Sequence, residues 1–403
     1  MRVLMVHSFH HPRGGDTTYT RDLTRLLADA GDEVIPLAMR HPDNDPSIWA
    51  RHFPSWVDLR ANDDPVARGR AALRMLWSAE AARACRRLVS EARPDIAHIQ
   101  HVHRHLTPSV LRPLRRAGVP VVWTVHDYEL ICPSAHLYAR GAACERCADG
   151  RYRHAVETRC KWGSRGASLA VAAEKRLHRW LGVWAMVDRF LCPSAHLART
   201  LVRFGVPADR VQHLENFLDL THRPPGDSPG EGWLYAGRLS EEKGVQVAIE
   251  AARRLPGVPL YIYGDGPMRN TLERQAADLP WVRFLGHRPR PELAARLAAV
   301  RAVVVPSLWP ENFPYAVLEA QAAARAVVAS DIGGIPEQIT HGRDGLLFPP
   351  GDAEALARAV RHLLTDPARA RQLGAAARTR VESRLQPADH LRRLRRVYAE
   401  VAR

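Results

Sequence analysis

Short apolar runs alternate with amphipathic stretches along this chain, and the alternation restarts once near its middle. Runs of period two or of continuous β-branched residues predict strands at 2–7, 33–39, 95–100, 119–125, 189–192 and 211–214. A helix-period stretch follows the first run, over 17–30, and stops at Gly31; a longer one covers 65–92 and stops before Pro94. The segment 221–232, T-H-R-P-P-G-D-S-P-G-E-G, has no apolar period and reads as a linker. After it, strands are predicted at 233–236, 259–263, 282–285, 302–305, 326–329 and 345–348. Helices begin near 245, 267, 291, 315 and 353, and the tail 387–403 is one more helix. Apolar strands alternating with helices imply parallel sheets covered on both faces. The expected fold class is α/β, with two Rossmann-like, doubly wound domains facing each other across a cleft. Ligands are expected outside the carboxyl ends of the strands.

Bulk properties narrow this picture only slightly. The chain has 403 residues and a formal charge of +15, and its basic residues are almost all arginine. The lysines are Lys161, Lys175 and Lys243. Excess positive charge points to an anionic partner such as a nucleoside diphosphate, an anionic lipid surface or a nucleic acid. Nucleic acid would need a basic, aromatic-lined groove or a recognised module, and none is legible, so it is not expected. No apolar run reaches the roughly 18 residues that span a bilayer. The first residues read as a buried strand rather than a leader. The expected location is the cytoplasm, with the inner face of the membrane as an alternative.

The chemistry concentrates in the second half. In Y-A-G-R-L-S-E-E-K-G, a strand runs into a glycine turn and a helix start, with Ser240 the expected N-cap and Lys243 in the first turn. A lysine there is unfavourable beside the helix dipole. With Arg238 it makes sense if an anion such as a diphosphate lies over the turn. A surface Arg and Lys beside a turn is the plain alternative. Y-G-D-G-P places Gly264 at another strand end. In P-S-L-W-P-E-N-F-P-Y-A-V-L-E-A, Glu311 follows a buried strand and Glu319 lies on an apolar helix face. Burying that carboxylate requires a partner, for which a ribose diol is suitable. Gly333 and Gly334 open one more helix.

These motifs, G-R-L-x3-K-G, G-D-G-P, P-S-x3-E-x7-E-A, G-G-x2-E and G-x2-G-L-L-F-x-P-G-D, resemble in order and spacing those of the retaining glycosyltransferases of family 4. The resemblance extends over nearly the whole chain. P-R-G-G-D at 12–16 resembles the family's first glycine loop, and T-V-H-D at 124–127 its strand-end histidine motif. It implies a two-Rossmann GT-B architecture. Residues 1–220 would bind the acceptor, 233–384 the NDP-sugar, and 385–403 would cross back to the first domain. Arg238 and Lys243 would hold the diphosphate of a UDP- or GDP-sugar, with Gly237 and Gly264 at the donor. Glu319 would hold the ribose, and Glu311 with Asn312 and Phe313 the sugar hydroxyls. His126 would lie beside the donor sugar, and Gly15 would approach it through its backbone. Arg238, Lys243, His126 and Glu311 form the catalytic set, with no catalytic cofactor. Pro314 and Tyr315 depart from the family pattern, where many members carry glycine. The acceptor would be a glycan, a lipid-linked sugar or a small-molecule hydroxyl. Other GT-B chemistry (epimerase, phosphorylase) and non-catalytic nucleotide or carbohydrate binding remain the alternatives.

Four cysteines, Cys132, Cys144, Cys147 and Cys160, fall in a polar segment at about 132–160 with spacing C-x11-C-x2-C-x12-C. That spacing fits a structural tetrahedral zinc site, and unligated thiols or a redox or Fe–S role are the alternatives. Cys85 and Cys192 read as small buried hydrophobes. His101, His103 and His105 alternate at a strand end and read as a polar rim. E-K-R-L-H-R-W-L-G-V-W at 174–184 is a basic amphipathic helix, either core-facing or lying on an anionic membrane. The stretch C-P-S-A-H-L occurs twice, at 132–137 and 192–197. Each copy is expected to end an apolar strand, and Ser194 to cap a helix.

Overall fold

A computed structural model describes residues 1–57, 73–221, 223–226, 230–288 and 290–402. The chain forms two compact units. One comprises Met1–His136, Glu145–Asn216 and Ala388–Arg403; the other comprises Leu137–Cys144 and Phe217–Pro387. Part of the 221–232 linker and the first part of the 65–92 helix expectation lie outside the described residues.

The first unit holds a six-stranded parallel sheet ordered β2-β1-β3-β4-β7-β8. Its strands are β1 (Arg2–His7), β2 (Glu33–Leu37), β3 (Ile96–His101), β4 (Val121–Thr124), β7 (Arg189–Cys192) and β8 (Val211–His213). Between β4 and β7, the short antiparallel strands β5 (Tyr138–Ala139) and β6 (Ala142–Ala143) form a hairpin that groups with the second unit. The second unit repeats the architecture with order β11-β10-β9-β12-β13-β14. These are β9 (Trp233–Ala236), β10 (Leu260–Tyr263), β11 (Val282–Gly286), β12 (Ala302–Val305), β13 (Ala326–Ser330) and β14 (Leu346–Phe348).

The strand sequences explain the layers. In the second unit Trp233, Tyr235, Ile262 and Val304 enter one apolar cluster, and Leu234, Tyr261, Val303 and Val305 enter the other. Alternate residues thus serve opposite faces, and both faces are covered by helices, so the strands read as unbroken apolar runs. In both sheets the chain reverses direction beside the first strand of the unit. The carboxyl ends of β9 and β12 flank that switch point in the second unit.

Three local expectations are corrected. The 65–92 helix does not run through: Ser78 is extended, and its hydroxyl accepts from Ala81 N to start a new helix, Ala79–Ala92. A capping serine ends one helix as readily as it starts the next. Ser240 caps no helix. Residues Glu241–Lys243 form a single 3-10 turn, and the α-helix Val245–Arg253 starts only after left-handed Gly244. Of the two C-P-S-A-H-L copies, only the second ends a strand. There Ser194 accepts from Leu197 N at the head of the helix Ala195–Arg203. The first lies in a turn-rich segment where Ala135 and Leu137 both adopt positive φ.

The last helix, Pro387–Val401, groups with the first unit. Its Tyr398 hydroxyl lies 2.7 Å from His98 Nδ1, and the other ring nitrogen lies 2.7 Å from Thr124 Oγ1. Burial pushes the His98 imidazole down to about 3, so the ring is neutral and needs both partners. Tyr398→Phe removes one of them in a buried site. It is expected to cost about 1–3 kcal/mol, read as a lower urea midpoint at unchanged m-value.

Candidate active site

At the switch point of the second unit, β9 ends at Ala236 and turns through Gly237 and Arg238. Gly264 must be glycine here, because its φ is +128° and a Cβ would lie 1.9 Å from Gly237 O. Gly244 is held equally close to β12: a Cβ there would meet Pro306 O at 1.8 Å. These close approaches bring two loops together at the strand ends. Leu308 N donates to Glu242 O at 2.8 Å and fixes the junction.

The junction carries an ion pair. Lys243 Nζ donates to Glu311 Oε1 at 2.8 Å, and Ser307 Oγ donates to the same oxygen at 2.7 Å. The ammonium also stands 4.8 Å from the centre of the Trp309 ring. The Glu311 side chain is only 6% exposed, whereas Lys243 keeps 27%, so the cation faces outward from a buried anchor. Asn312 and Phe313 are buried beside it, and Gly334 N donates to Glu311 O at 2.7 Å. Arg238 is exposed, and its carbonyl accepts from Tyr235 OH. Glu319 lies in the helix Tyr315–Ala322 with its side chain 18% exposed and Arg223 Nη1 at 3.7 Å. The partner required by that half-buried carboxylate is therefore present within the protein.

In the first unit, His126 follows β4. Its Nε2 lies 2.7 Å from Gln100 Oε1, while the Gln100 amide nitrogen faces Met5 Sδ. That orientation makes Nε2 the donor and leaves Nδ1 as the acceptor. Burial pushes the imidazole down to about 3, against the pull of Asp16, so His126 is neutral. Tyr19 meets its ring edge-on at 5.3 Å. Gly15 is the first residue of the helix Gly15–Asp29, and the adjacent Asp16 reaches His7 Nε2 at 3.2 Å. Burial alone would raise the Asp16 carboxyl, but the hydrogen bond from His7 and the nearby His101 charge hold it well below the usual range. A cavity of about 280 Å³ opens beside this helix, with His10, Arg21, Thr24 and Asp45 among its walls. Arg21 and Asp45 approach to 3.3 Å.

The family pattern described as Glycosyltransferase Family 4 matches residues 13–222, and that described as Glycosyl transferases group 1 matches 228–380. A glycogen synthase of Mycobacterium tuberculosis is 32% identical over 406 residues, covering 95% of this chain and 91% of the relative. The chain belongs to glycosyltransferase family 4. Solved structures agree in fold. Sucrose-phosphate synthase from Thermosynechococcus elongatus superposes with a TM-score of 0.74 at 22% identity, over 99% of this chain and 98% of that one. The Anabaena protein HepE, solved in complex with UDP-glucose, gives 0.71 at 18% identity over 99% and 100%. The two six-stranded parallel sheets are those of the GT-B class.

Within this glycosyltransferase, a buried charge network stands behind the T-V-H-D strand end. His101 Nε2 lies 3.4 Å from Glu129, whose other oxygen meets Arg104 Nη1 at 2.6 Å; Arg104 Nε in turn meets Glu174 at 3.3 Å. His101, Asp127 and Glu129 bring three ligand-type atoms within 4.8 Å of one another. With the Arg104 guanidinium already on Glu129, this is a charge network and not a vacancy for a cation. Nor is the run of histidines a polar rim, because His103 is buried and stands over Trp123 at 5.2 Å. Nothing in the alternation of histidines signalled this, since the charges come from segments about seventy residues apart. Burial and the neighbouring Glu129 charge push Asp127 up to about 6.

Burial alone would lower His101, but the hydrogen bond and charge of Glu129, with Asp127 and Asp16, push it up to about 9. Its folded value thus exceeds the unfolded 6.5, so its stabilisation is complete below pH 6.5 and is lost as pH rises through 9. The loss is expected to reach at most about 3 kcal/mol, seen as a falling unfolding free energy between these limits. Glu129→Gln should flatten that slope.

Among the described residues no group of three or more metal-type ligand atoms includes a cysteine. Cys132 is buried with Sγ 3.2 Å from Ser134 Oγ, and Cys147 and Cys160 pack on a small cluster of Tyr152, Ala155 and Ala172. No disulfide joins any of the six cysteines. Cys85 and Cys192 are fully buried, and burial pushes the Cys85 thiol up to about 12.

Proposed function

We propose that this glycosyltransferase moves a sugar, with retention at the anomeric carbon, from a UDP- or GDP-sugar to an acceptor hydroxyl. The Lys243–Glu311 pair at the switch point carries this reading, because it presents a fixed cation over a buried carboxylate where a sugar nucleotide is expected. Departure of a nucleoside diphosphate develops negative charge. Lys243, Arg238 and the amino end of Val245–Arg253 are the groups that would stabilise it, without a metal. Glu311 would release Lys243 to the diphosphate and accept sugar hydroxyls, together with Asn312 and Phe313. Glu319 would exchange Arg223 for the ribose diol. Gly237 and Gly264 bring backbone close to the donor. Neutral His126 and the backbone of Gly15 are the first unit's contributions, and the departing phosphate would take the acceptor's proton.

The relative named glycogen synthase and the solved complex with UDP-glucose support a glycan acceptor and a uridine donor. The cavity walled by the paired Arg21 and Asp45 is the proposed acceptor pocket. A thermal-shift screen against UDP-, GDP- and ADP-sugars tests the donor assignment. Stabilisation by a UDP- or GDP-sugar, with turnover that resists EDTA, is expected. No shift with any of them overturns it.

A further inference from the structure

Large apolar side chains are exposed at seven described positions, and three of them, Trp162, Leu169 and Trp180, lie on or just before one helix of the first unit, Arg165–Trp180. They are 66%, 60% and 80% exposed. Arg165, Leu169, Ala173, Arg176 and Trp180 are all exposed and share a single stripe of the helix, at spacings of four, four, three and four. Lys161 Nζ stands 5.0 Å from the Trp162 ring centre. The sole carboxylate of the helix, Glu174, is fully buried and turned inward to Arg104 and Lys175. The outward stripe therefore combines Leu169, Trp180, Arg165 and Arg176, with Trp162 exposed in the turn just before the helix and no acid of its own helix.

We propose that this face docks on the surface of a bilayer rich in anionic phospholipid. Tryptophan rings settle at the headgroup level, and arginines are drawn to anionic headgroups. A helix with one apolar, cationic face lies in that plane. Its other face, with Val171, Ala172 and His178, is fixed into the first unit, so docking needs no unfolding. No described helix is long and apolar enough to cross a membrane, and the contact is peripheral.

The test is co-sedimentation of the full chain with vesicles of phosphatidylcholine alone, or of phosphatidylcholine and phosphatidylglycerol in equal parts. The bound fraction is expected to be about tenfold larger on the anionic vesicles at low salt, and to fall as salt rises. Trp162→Ser with Trp180→Ser, and separately Arg165→Glu with Arg176→Glu, should each abolish most of that binding. Both pairs are exposed, and unchanged circular dichroism would show that the fold is intact. Equal binding to neutral vesicles, or undiminished binding by either double variant, overturns the proposal. So does a concentration-dependent dimer that the tryptophan variant abolishes without any vesicle binding. Donor binding is read separately by thermal shift, so this proposal can fail without the transferase reading.

Discussion

Replacement of Lys243 by alanine is expected to lower kcat/KM for the sugar-nucleotide donor about 10²–10³-fold, the usual loss when one preorganised charge-stabilising group is removed. The ammonium is the fixed cation of the switch point, 2.8 Å from Glu311 Oε1 and 27% exposed toward the proposed diphosphate. The same change leaves Glu311 with Ser307 as its remaining side-chain donor in a site where it is only 6% exposed. A stability loss of about 1–3 kcal/mol should accompany the kinetic loss. The two readouts separate the roles. A lower melting temperature with unchanged donor kinetics would make Lys243 a structural partner of Glu311 and nothing more. Lys243→Arg is expected to recover little activity. The site beside Trp309 accommodates a point charge on a thin stem, and a planar guanidinium fork is a different shape.

The second large effect is expected at Arg104. Its guanidinium serves Glu129, Glu174 and the carbonyl of Pro133, and the residue is only 8% exposed. Arg104→Ala leaves Glu129 with His101 and Glu174 with Lys175 as remaining ion partners, and should cost up to about 3–5 kcal/mol, measured by equilibrium urea unfolding. The backbone adds a second signature. Arg104 has φ of +62°, so glycine relieves a left-handed strain that alanine retains. Arg104→Gly is therefore expected to be the more stable of the two variants by about 1–2 kcal/mol. Equal stability of the wild type and Arg104→Ala would mean that the network does not act as an ionic one.

How far these features were legible in the sequence depended on whether their cause is local. The strands Arg189–Cys192, Trp233–Ala236 and Ala302–Val305 coincide with their predicted limits, because apolar runs bounded by turn residues need no distant partner. The loops at Gly237 and Gly264 were legible for the same reason: close backbone approach leaves glycine in the sequence. The direct contact between Lys243 and Glu311 was not, since it joins positions 68 apart in the chain. Ser240 was misread because Gly244 delays the helix and leaves the serine hydroxyl to donate to Glu242. The Arg104 network was invisible. In H-V-H-R-H and A-A-E-K-R-L the charges look like solvated surface, and only tertiary pairing makes their burial tolerable.

The ends of the chain meet at one carboxylate, because Asp32 receives both the amino terminus and Arg395, each at 2.8 Å. Within the second unit, Leu218 N donates to Leu385 O at 3.0 Å, so the passages into and out of that unit run side by side. The larger segment of the second unit is thus a parenthesis opened and closed at one place within the first. A single proteolytic nick in either passage leaves the two units covalently joined through the other. Separating them takes at least two cuts, and a gene truncated before the last helix loses part of the first unit rather than the end of the second.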